Sequence, residues 1–171
     1  MNFSIVRTMR HLLAPDHRLS CPPRVWNQLL RDLRERGHGS RESGAFLLGA
    51  KLDGRRHISH YVLYDDLDPH CLDTGIVTFD GQHYGRLWAI CRERQQSVVA
   101  DVHVHPGSSH QSQSDRDHPM LSVAGHLSLI IPDFASTPVR RDDIGIYEYR
   151  HDGGWHSVLR RDRKRFFYIG W

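Results

Sequence analysis

The sequence predicts an α/β fold in which a mixed central sheet is flanked by helices. Two segments, 24–36 and 82–94, carry apolar side chains at helical spacing. Short apolar runs of strand type, among them 44–51 and 97–103, lie between and after these helices. Helices that alternate with strands along a chain are typical of folds in which both faces of a sheet are covered.

The first long helix is marked at both ends. Pro22-Pro23 precede it, and Gly37 and Gly39 follow it. This agrees with the preference of proline for the first helical turn and of glycine for the end. Trp26 and Trp88 fall on the apolar stripes of the two long helices. We therefore expect both tryptophans in the core.

The strands are marked by apolar runs and turn residues. The strand at 44–51 turns at Asp53-Gly54, a hairpin signal, and returns over 57–65. The remaining expected elements are strands at 3–6, 76–79, 97–103 and 126–131, a short helix at 119–124, and a last hairpin of 144–150 with 155–160.

Length and composition favour one domain over residues 1–171. A chain of 171 residues with 39% hydrophobic residues can bury a core without disulfides or structural metal ions. Residues 1–22 are expected to be a peripheral segment. Residues 161–171 form a basic and apolar tail, which either packs as a final strand or docks on another protein.

Cysteine usage and hydropathy favour the cytoplasm. Cys21, Cys71 and Cys91 are an odd number without paired spacing, which argues against a disulfide framework and for a reducing compartment. No apolar run approaches the ~20 residues of a membrane helix. The net charge of +3 is too small to favour nucleic acid as a partner.

A strand that ends in His103-Val104-His105-Pro106 is the most informative motif. Histidines at i and i+2 of an extended chain project to the same face, and acids follow in the next loop. Two imidazoles and a carboxylate suit a tetrahedral zinc ion with one position left for water. The alternative is a polar strand face, because a chain with 14 histidines contains such pairs by chance.

Glu42 is the candidate base for such a zinc-bound water. It opens the apolar strand at 44–51, and a carboxylate at the mouth of a buried strand is costly unless a partner stabilises it. A water on a metal is such a partner, and its protons require a base. The alternative is that Glu42 caps a surface strand.

Taken together, Glu42, the His-Val-His-Pro motif and Ser112-Gln113-Ser114-Asp115 resemble the JAMM (MPN-type) metalloproteases, which remove ubiquitin and ubiquitin-like proteins. The resemblance covers residues 24–150, and the run at 127–131 also looks like that of bacterial members. It implies a JAMM/MPN-type domain with the cytidine deaminase-like fold.

The spacing of the third ligand departs from the family. Ten residues separate the second histidine from the aspartate in the family, whereas nine separate His105 from Asp115 and eleven separate His105 from Asp117. We favour Asp115, because Asp115-Arg116 follows Ser-x-x as in bacterial relatives and a loop absorbs a one-residue deletion. Asp117 is then a neighbouring or surface acid.

By resemblance, His103, His105 and Asp115 hold one catalytic Zn²⁺. Glu42 then takes the proton of the attacking water and returns it to the leaving amine, and Ser112 donates a hydrogen bond to the developing oxyanion. None of the three cysteines lies in a signature for a nucleophile, so no covalent intermediate is expected.

The resemblance also implies the substrate and partners. It implies an isopeptidase or processing peptidase that cuts after the C-terminal tail of a ubiquitin-like protein. The activating and conjugating enzymes would be encoded in the same operon, in a bacterial system with a role in antiphage defence. The tail would add as a strand beside a sheet edge, clamped by loops at 66–74 and 107–114.

Two other functions stay open. One is a non-catalytic MPN-like scaffold subunit, although such members typically lose the metal residues that this chain keeps. The other is an accessory protein that binds nucleic acid through the basic run at 160–165. Among the other histidines, His57 and His60 are expected on a solvated strand face, and His110 and His118 are expected to gate the pocket or contact substrate.

Overall fold

The computed structural model describes residues 16–136 and 138–170, so the strand predicted at 3–6 lies outside the described residues. Within these ranges eight strands form one sheet. The strands are β1 (Leu19–Cys21), β2 (Gly44–Leu52), β3 (Arg55–Leu63), β4 (Ser97–Val104), β5 (Leu127–Ile131), β6 (Gly145–Tyr149), β7 (Trp155–Ser157) and β8 (Phe167–Ile169).

Helices and short helical turns connect these strands. The helices are α1 (Pro23–Arg36), α2 (Tyr64–Leu67), α3 (Tyr84–Arg94), α4 (Gln113–Asp117) and α5 (Arg160–Phe166), with 3₁₀ turns at Gly81–His83 and Asp133–Ala135. The predicted mixed α/β architecture is confirmed. In the described part of the chain, no helix combines the length and the apolar character needed to cross a membrane.

The sheet has the order β7-β6-β5-β4-β2-β3-β1-β8 and mixes parallel with antiparallel pairs. β4 lies at its centre, antiparallel to β2 and parallel to β5. β1 runs parallel to both β3 and β8, so residues 167–169 join the sheet. Phe167 of β8 is fully buried against Trp26, with their rings 5.0 Å apart. Of the two expectations for the tail, packing as a final strand is confirmed for residues 167–169.

The two faces of the sheet carry separate apolar cores because strand side chains alternate. Ala45 and Leu47 of β2 pack in the core that α1 covers, whereas Phe46 and Leu48 pack in the core that α3 covers. The sheet is therefore a layer between helices.

The same alternation sets the direction of the histidine motif. Val102 and Val104 of β4 are buried in the α1 core, so Asp101 and His103 face the opposite side, where α3 and the loops after α2 lie. The end of β4 thus presents polar side chains at a buried edge of that second core.

Two predicted elements were wrong. Residues 76–79 form no strand, because the Val77 N–H donates to the Glu42 carboxylate and the Thr78 N–H donates to the Cys71 carbonyl, which leaves no ladder to join. Residues 119–124 form no helix. The helix comes earlier, as α4, and Pro119 lies just beyond its end.

Several boundaries and one burial prediction also need correction. β3 spans Arg55–Leu63 instead of 57–65, and β7 ends at Ser157 because the basic run begins α5. Trp88 is 38% exposed, since α3 turns Leu87 and Cys91 inward and leaves Trp88 stacked on Tyr84 near the surface. The outer positions of β3 fit a solvated face, where His57 is exposed and His60 half-buried.

The β2–β3 hairpin tolerates no side chain at Gly49. A Cβ there would lie 1.8 Å from the His57 carbonyl oxygen, which is backbone and cannot swing away. We expect Gly49→Ala to lower the free energy of unfolding by at least about 1–3 kcal/mol, the typical cost of overpacking. Gly81→Ala is the matched control, because no heavy atom lies within 4 Å of its Cβ. Equal urea midpoints for the two variants would contradict this account.

Candidate metal centre

The two motif histidines converge at the end of β4. Their Nε2 atoms lie 3.0 Å apart, and both side chains are buried. Two imidazole nitrogens at this distance repel unless a proton or a cation lies between them or beside them. The pair is therefore a site for shared positive charge.

Asp115 completes a group of three. Its Oδ1 lies 3.2 Å from the His103 Nε2 and its Oδ2 lies 3.3 Å from the His105 Nε2. The candidate ligand atoms of His103, His105 and Asp115 all lie within 4.8 Å of one another. Two imidazoles and a carboxylate at such distances can hold a metal ion.

The start of α4 fixes the Asp115 carboxylate. The Ser112 hydroxyl accepts the Asp115 N–H at 3.1 Å, and the Ser112 N–H donates to Asp115 Oδ2 at 2.6 Å. This reciprocal pair is a capping box, which satisfies two backbone donors that a helix start leaves free. Ser112 is thus bonded to one of the three converging side chains, Asp115. The Ser-x-x-Asp pattern is also a sequence signal for a helix start.

A strained turn supports the His105 backbone. The His105 N–H donates to the Ile131 carbonyl, and the His105 carbonyl accepts the Phe134 N–H, both at 2.9 Å. Residues 133–135 all have positive φ, between 50° and 55°, although none is glycine. Consecutive left-handed residues are costly, and such strain persists only where the surroundings enforce it.

Glu42 lies beside this group, between it and the loop that follows α2. Its Oε1 is 3.8 Å from the His105 Nε2, and its Oε2 accepts the Val77 N–H at 3.1 Å. The Glu42 N–H also donates to the Gly75 carbonyl. One carboxylate oxygen is thus held by the loop, and the other faces the histidines.

Electrostatics couple His103 to the acids around it. Burial disfavours its charged form, but Asp101 and Asp115 outweigh burial and raise the pKa of His103 to about 10. Burial likewise opposes ionisation of Asp115, yet hydrogen bonds to His103 and His105 hold the pKa of that carboxyl far below its usual range. The same interactions favour an ion pair between His103 and Asp115.

Asp101 is a part of the site that the sequence reasoning missed. It is fully buried two residues before His103, and its carboxylate accepts hydrogen bonds from His126 and Ser128. Burial alone would raise its pKa, but the imidazoles of His103 and His126 lower the pKa of Asp101 to about 2. The signal was present, because Asp-x-His-x-His places all three side chains on one face of a strand.

The other candidates lie outside the group of three. Both Asp117 carboxylate oxygens accept from the Gln113 side-chain amide at 2.9 Å, and Asp117 is exposed. The His110 ring bonds the Ser108 hydroxyl, and His118 is exposed. Neither histidine contributes an atom to the converging group of His103, His105 and Asp115.

The chain was compared with known proteins. No family model matches it. It is 26% identical to the "probable metalloprotease y4jG" of Sinorhizobium fredii. The 129 aligned residues cover 75% of this chain and 78% of that relative.

Two solved structures have a similar fold. A solution structure of protein DSY2949 from Desulfitobacterium hafniense aligns with a TM-score of 0.61 and 15% identity, over 82% of this chain and 90% of that one. A solution structure from Salinibacter ruber aligns with a TM-score of 0.56 and 18% identity, over 81% and 88%. At these identities the likeness concerns the fold alone.

The geometry predicts which aspartate holds a metal. We expect Asp115→Asn to reduce the bound zinc from about one ion per chain to a small fraction, because its carboxylate is the one beside both imidazoles. Asp117→Asn should bind like the wild type. Plasma mass spectrometry on dialysed protein measures both, and an empty site in the Asp117 variant would reverse the assignment.

The pKa of His103 predicts a pH dependence for chelator-treated protein. A pKa raised from 6.5 to about 10 on folding contributes stability that is fully present below pH 6.5 and is lost as the pH rises through about 10. The difference in unfolding free energy between wild type and His103→Gln should therefore shrink from pH 6 to 10.5. Urea titrations at several pH values measure it, and a constant difference would refute the coupling.

Proposed function

We propose that this protein is a zinc-dependent peptidase of the JAMM (MPN) type, with the cytidine deaminase-like fold. One observation carries the proposal: His103, His105 and Asp115 converge, and the free oxygen of Glu42 lies 3.8 Å from this group. The similarity to a probable metalloprotease supports the same class of activity.

The spacing of the three side chains fits zinc. Zinc binds imidazole nitrogen and carboxylate oxygen at about 2.0–2.2 Å with tetrahedral angles, which puts ligand atoms about 3.3 Å apart. The corresponding separations here are 3.0, 3.2 and 3.3 Å. Three protein ligands leave a fourth position open, as in catalytic zinc sites.

Zinc in such a site lowers the pKa of water toward ~7 and polarises a carbonyl oxygen. Glu42 supplies the proton transfer: its Oε1 takes the proton of the attacking water and returns it to the leaving amine. The Val77 N–H holds Oε2, so the carboxylate keeps its orientation through both transfers. An amine leaves poorly without a proton, which makes the return step as necessary as the attack.

Ser112 is the proposed donor to the oxyanion. Its oxygen accepts the Asp115 N–H, and its hydroxyl hydrogen is directed by that bond toward other acceptors. A donor held by a helix cap is preorganised for charge that develops in the transition state.

The proposed substrate is the C-terminal tail of a ubiquitin-like protein, cut in deconjugation or in precursor processing. Residues 66–74 lead into Gly75 and Val77, which bond Glu42, and residues 107–114 lie between His105 and Asp115. We propose that these two segments clamp the extended tail. The proposed partners are activating and conjugating enzymes encoded in the same bacterial operon. The proposed location is the cytoplasm, and the proposed role is antiphage defence.

The structure offers less support for the two rival functions. In the basic run, Arg160 pairs with Asp143 at 2.6 Å, Lys164 pairs with Asp142 at 3.4 Å, and Arg163 donates to the Asp142 carbonyl. Cations engaged in this way are less available to phosphates. A scaffold role needs neither the converging ligands nor Glu42.

Replacing the base separates chemistry from metal binding. We expect Glu42→Gln to keep zinc but to lower kcat by roughly 10²- to 10⁴-fold, the usual worth of a general base. His105→Ala should lose both zinc and activity. The assay is cleavage of a ubiquitin-like domain whose C-terminal tail is joined to a reporter, by a linear bond in one substrate and by an isopeptide bond in another.

Glu93→Gln is the matched control, because Glu93 is an exposed acid on α3. Cleavage by the Glu42 variant at the wild-type rate would exclude the proposed mechanism. Cleavage of general peptides without cleavage of either fusion would instead reject the substrate class.

A further inference from the structure

Behind His103 lies a buried carboxylate with its own set of donors. Asp101 Oδ1 accepts from His126 Nε2 at 2.5 Å, and Oδ2 accepts from the Ser128 hydroxyl at 3.0 Å and from the Tyr64 hydroxyl at 3.3 Å. These donors come from the start of α2, from β5 and from the residue before β5. A carboxylate that is 1% exposed is costly unless it is paired and hydrogen-bonded in this way.

The remaining neighbour of this carboxylate is the ring of His103. Its Nδ1 lies 3.9 Å from Asp101 Oδ2, longer than a hydrogen bond. In the described structure this nitrogen is buried and has no hydrogen-bond partner, whereas the Nε2 of the same ring faces His105 and Asp115. The two ring nitrogens thus face two different groups.

A histidine that binds a metal through Nε2 must carry its proton on Nδ1. The partner of that N–H fixes both the tautomer and the orientation of the ring. Asp101 Oδ2 is the oxygen placed to receive it, and the donors to the two carboxylate oxygens hold Asp101 in position. A closure of less than 1 Å brings the pair within hydrogen-bonding range.

We propose that Asp101 is a positioning residue that holds the Nδ1–H of His103 and thereby turns the Nε2 lone pair toward the metal. The inference rests on the proposed function only in that it requires a metal at His103, His105 and Asp115. His126 and Ser128 hold the Asp101 carboxylate in place, so the chain of contacts runs from β5 through β4 to the metal group.

A purely structural role is the competing explanation, since Asp101 of β4 also bonds to α2 and β5. The control is Asp68, a second buried carboxylate, whose partners in the described structure are the N–H groups of His70 and Asp80 and the ring of His83, away from His103 and His105. Loss of either carboxylate removes buried hydrogen bonds, but only Asp101 faces a metal-site imidazole.

The experiment measures the zinc dissociation constant by chelator competition and the visible spectrum of the Co²⁺ form, for Asp101→Asn, Asp68→Asn and the full-length wild type. Melting temperatures of the metal-free proteins report stability alongside. We expect Asp101→Asn to weaken zinc binding by about 10- to 100-fold and to change the Co²⁺ spectrum. Asp68→Asn should lower the melting temperature and leave the zinc affinity within threefold of wild type.

Ser128→Ala and His126→Gln serve if Asp101→Asn does not fold, because each removes one donor to Asp101 and leaves the carboxylate in place. Each should weaken zinc binding by a smaller factor. The inference is overturned if the Asp101 variant, or both donor variants, bind zinc as tightly as wild type, or if Asp68→Asn weakens binding as much. It also falls if the wild type binds no zinc. A wild type that binds zinc but cleaves no peptide would contradict the proposed function and leave the inference about Asp101 standing.

Discussion

The approach of His103 and His105 to 3.0 Å, with the Asp115 carboxylate against both, is the constraint on which the rest of the site depends. Two buried imidazoles at this distance are stable only with opposite charge beside them. In the metal-free protein that charge comes from Asp115 on one side and Asp101 on the other. A divalent cation among the same side chains would replace the proton on His103, whose pKa Asp101 and Asp115 raise to about 10.

The fold meets this constraint by bringing three unconnected pieces of backbone to the end of β4. The sheet supplies the histidines and fixes the side to which they point. The capping box of α4 holds Asp115 by two hydrogen bonds, and the left-handed turn at residues 133–135 holds the His105 backbone. Rigid secondary structure and tightly bonded turns thus orient the three candidate ligands together. Precise placement of this kind is what a site needs to bind a metal without reorganising.

Glu42 shows how the site is joined to its surroundings. The loop after α2 donates the Val77 N–H to the Glu42 carboxylate. Asp68 lies in the same loop and accepts the N–H groups of His70 and Asp80, which ties the two ends of the loop together. Those bonds explain why residues 76–79 form no strand despite their apolar character. A segment whose backbone donors serve a carboxylate and a turn has none left for a sheet edge.

The sequence by itself determined the α/β class, both long helices and most strands, because apolar periodicity is a local property. It also brought Glu42, His103, His105 and Asp115 together as candidates, through their spacing and resemblance. Only the tertiary structure shows that the Asp115 carboxylate lies beside both histidines, because its position depends on where α4 starts and on which carboxylate the helix cap turns toward them. It likewise decided the exposure of Trp88 and the contacts of Asp101, because burial and pairing depend on neighbours that are distant in the chain.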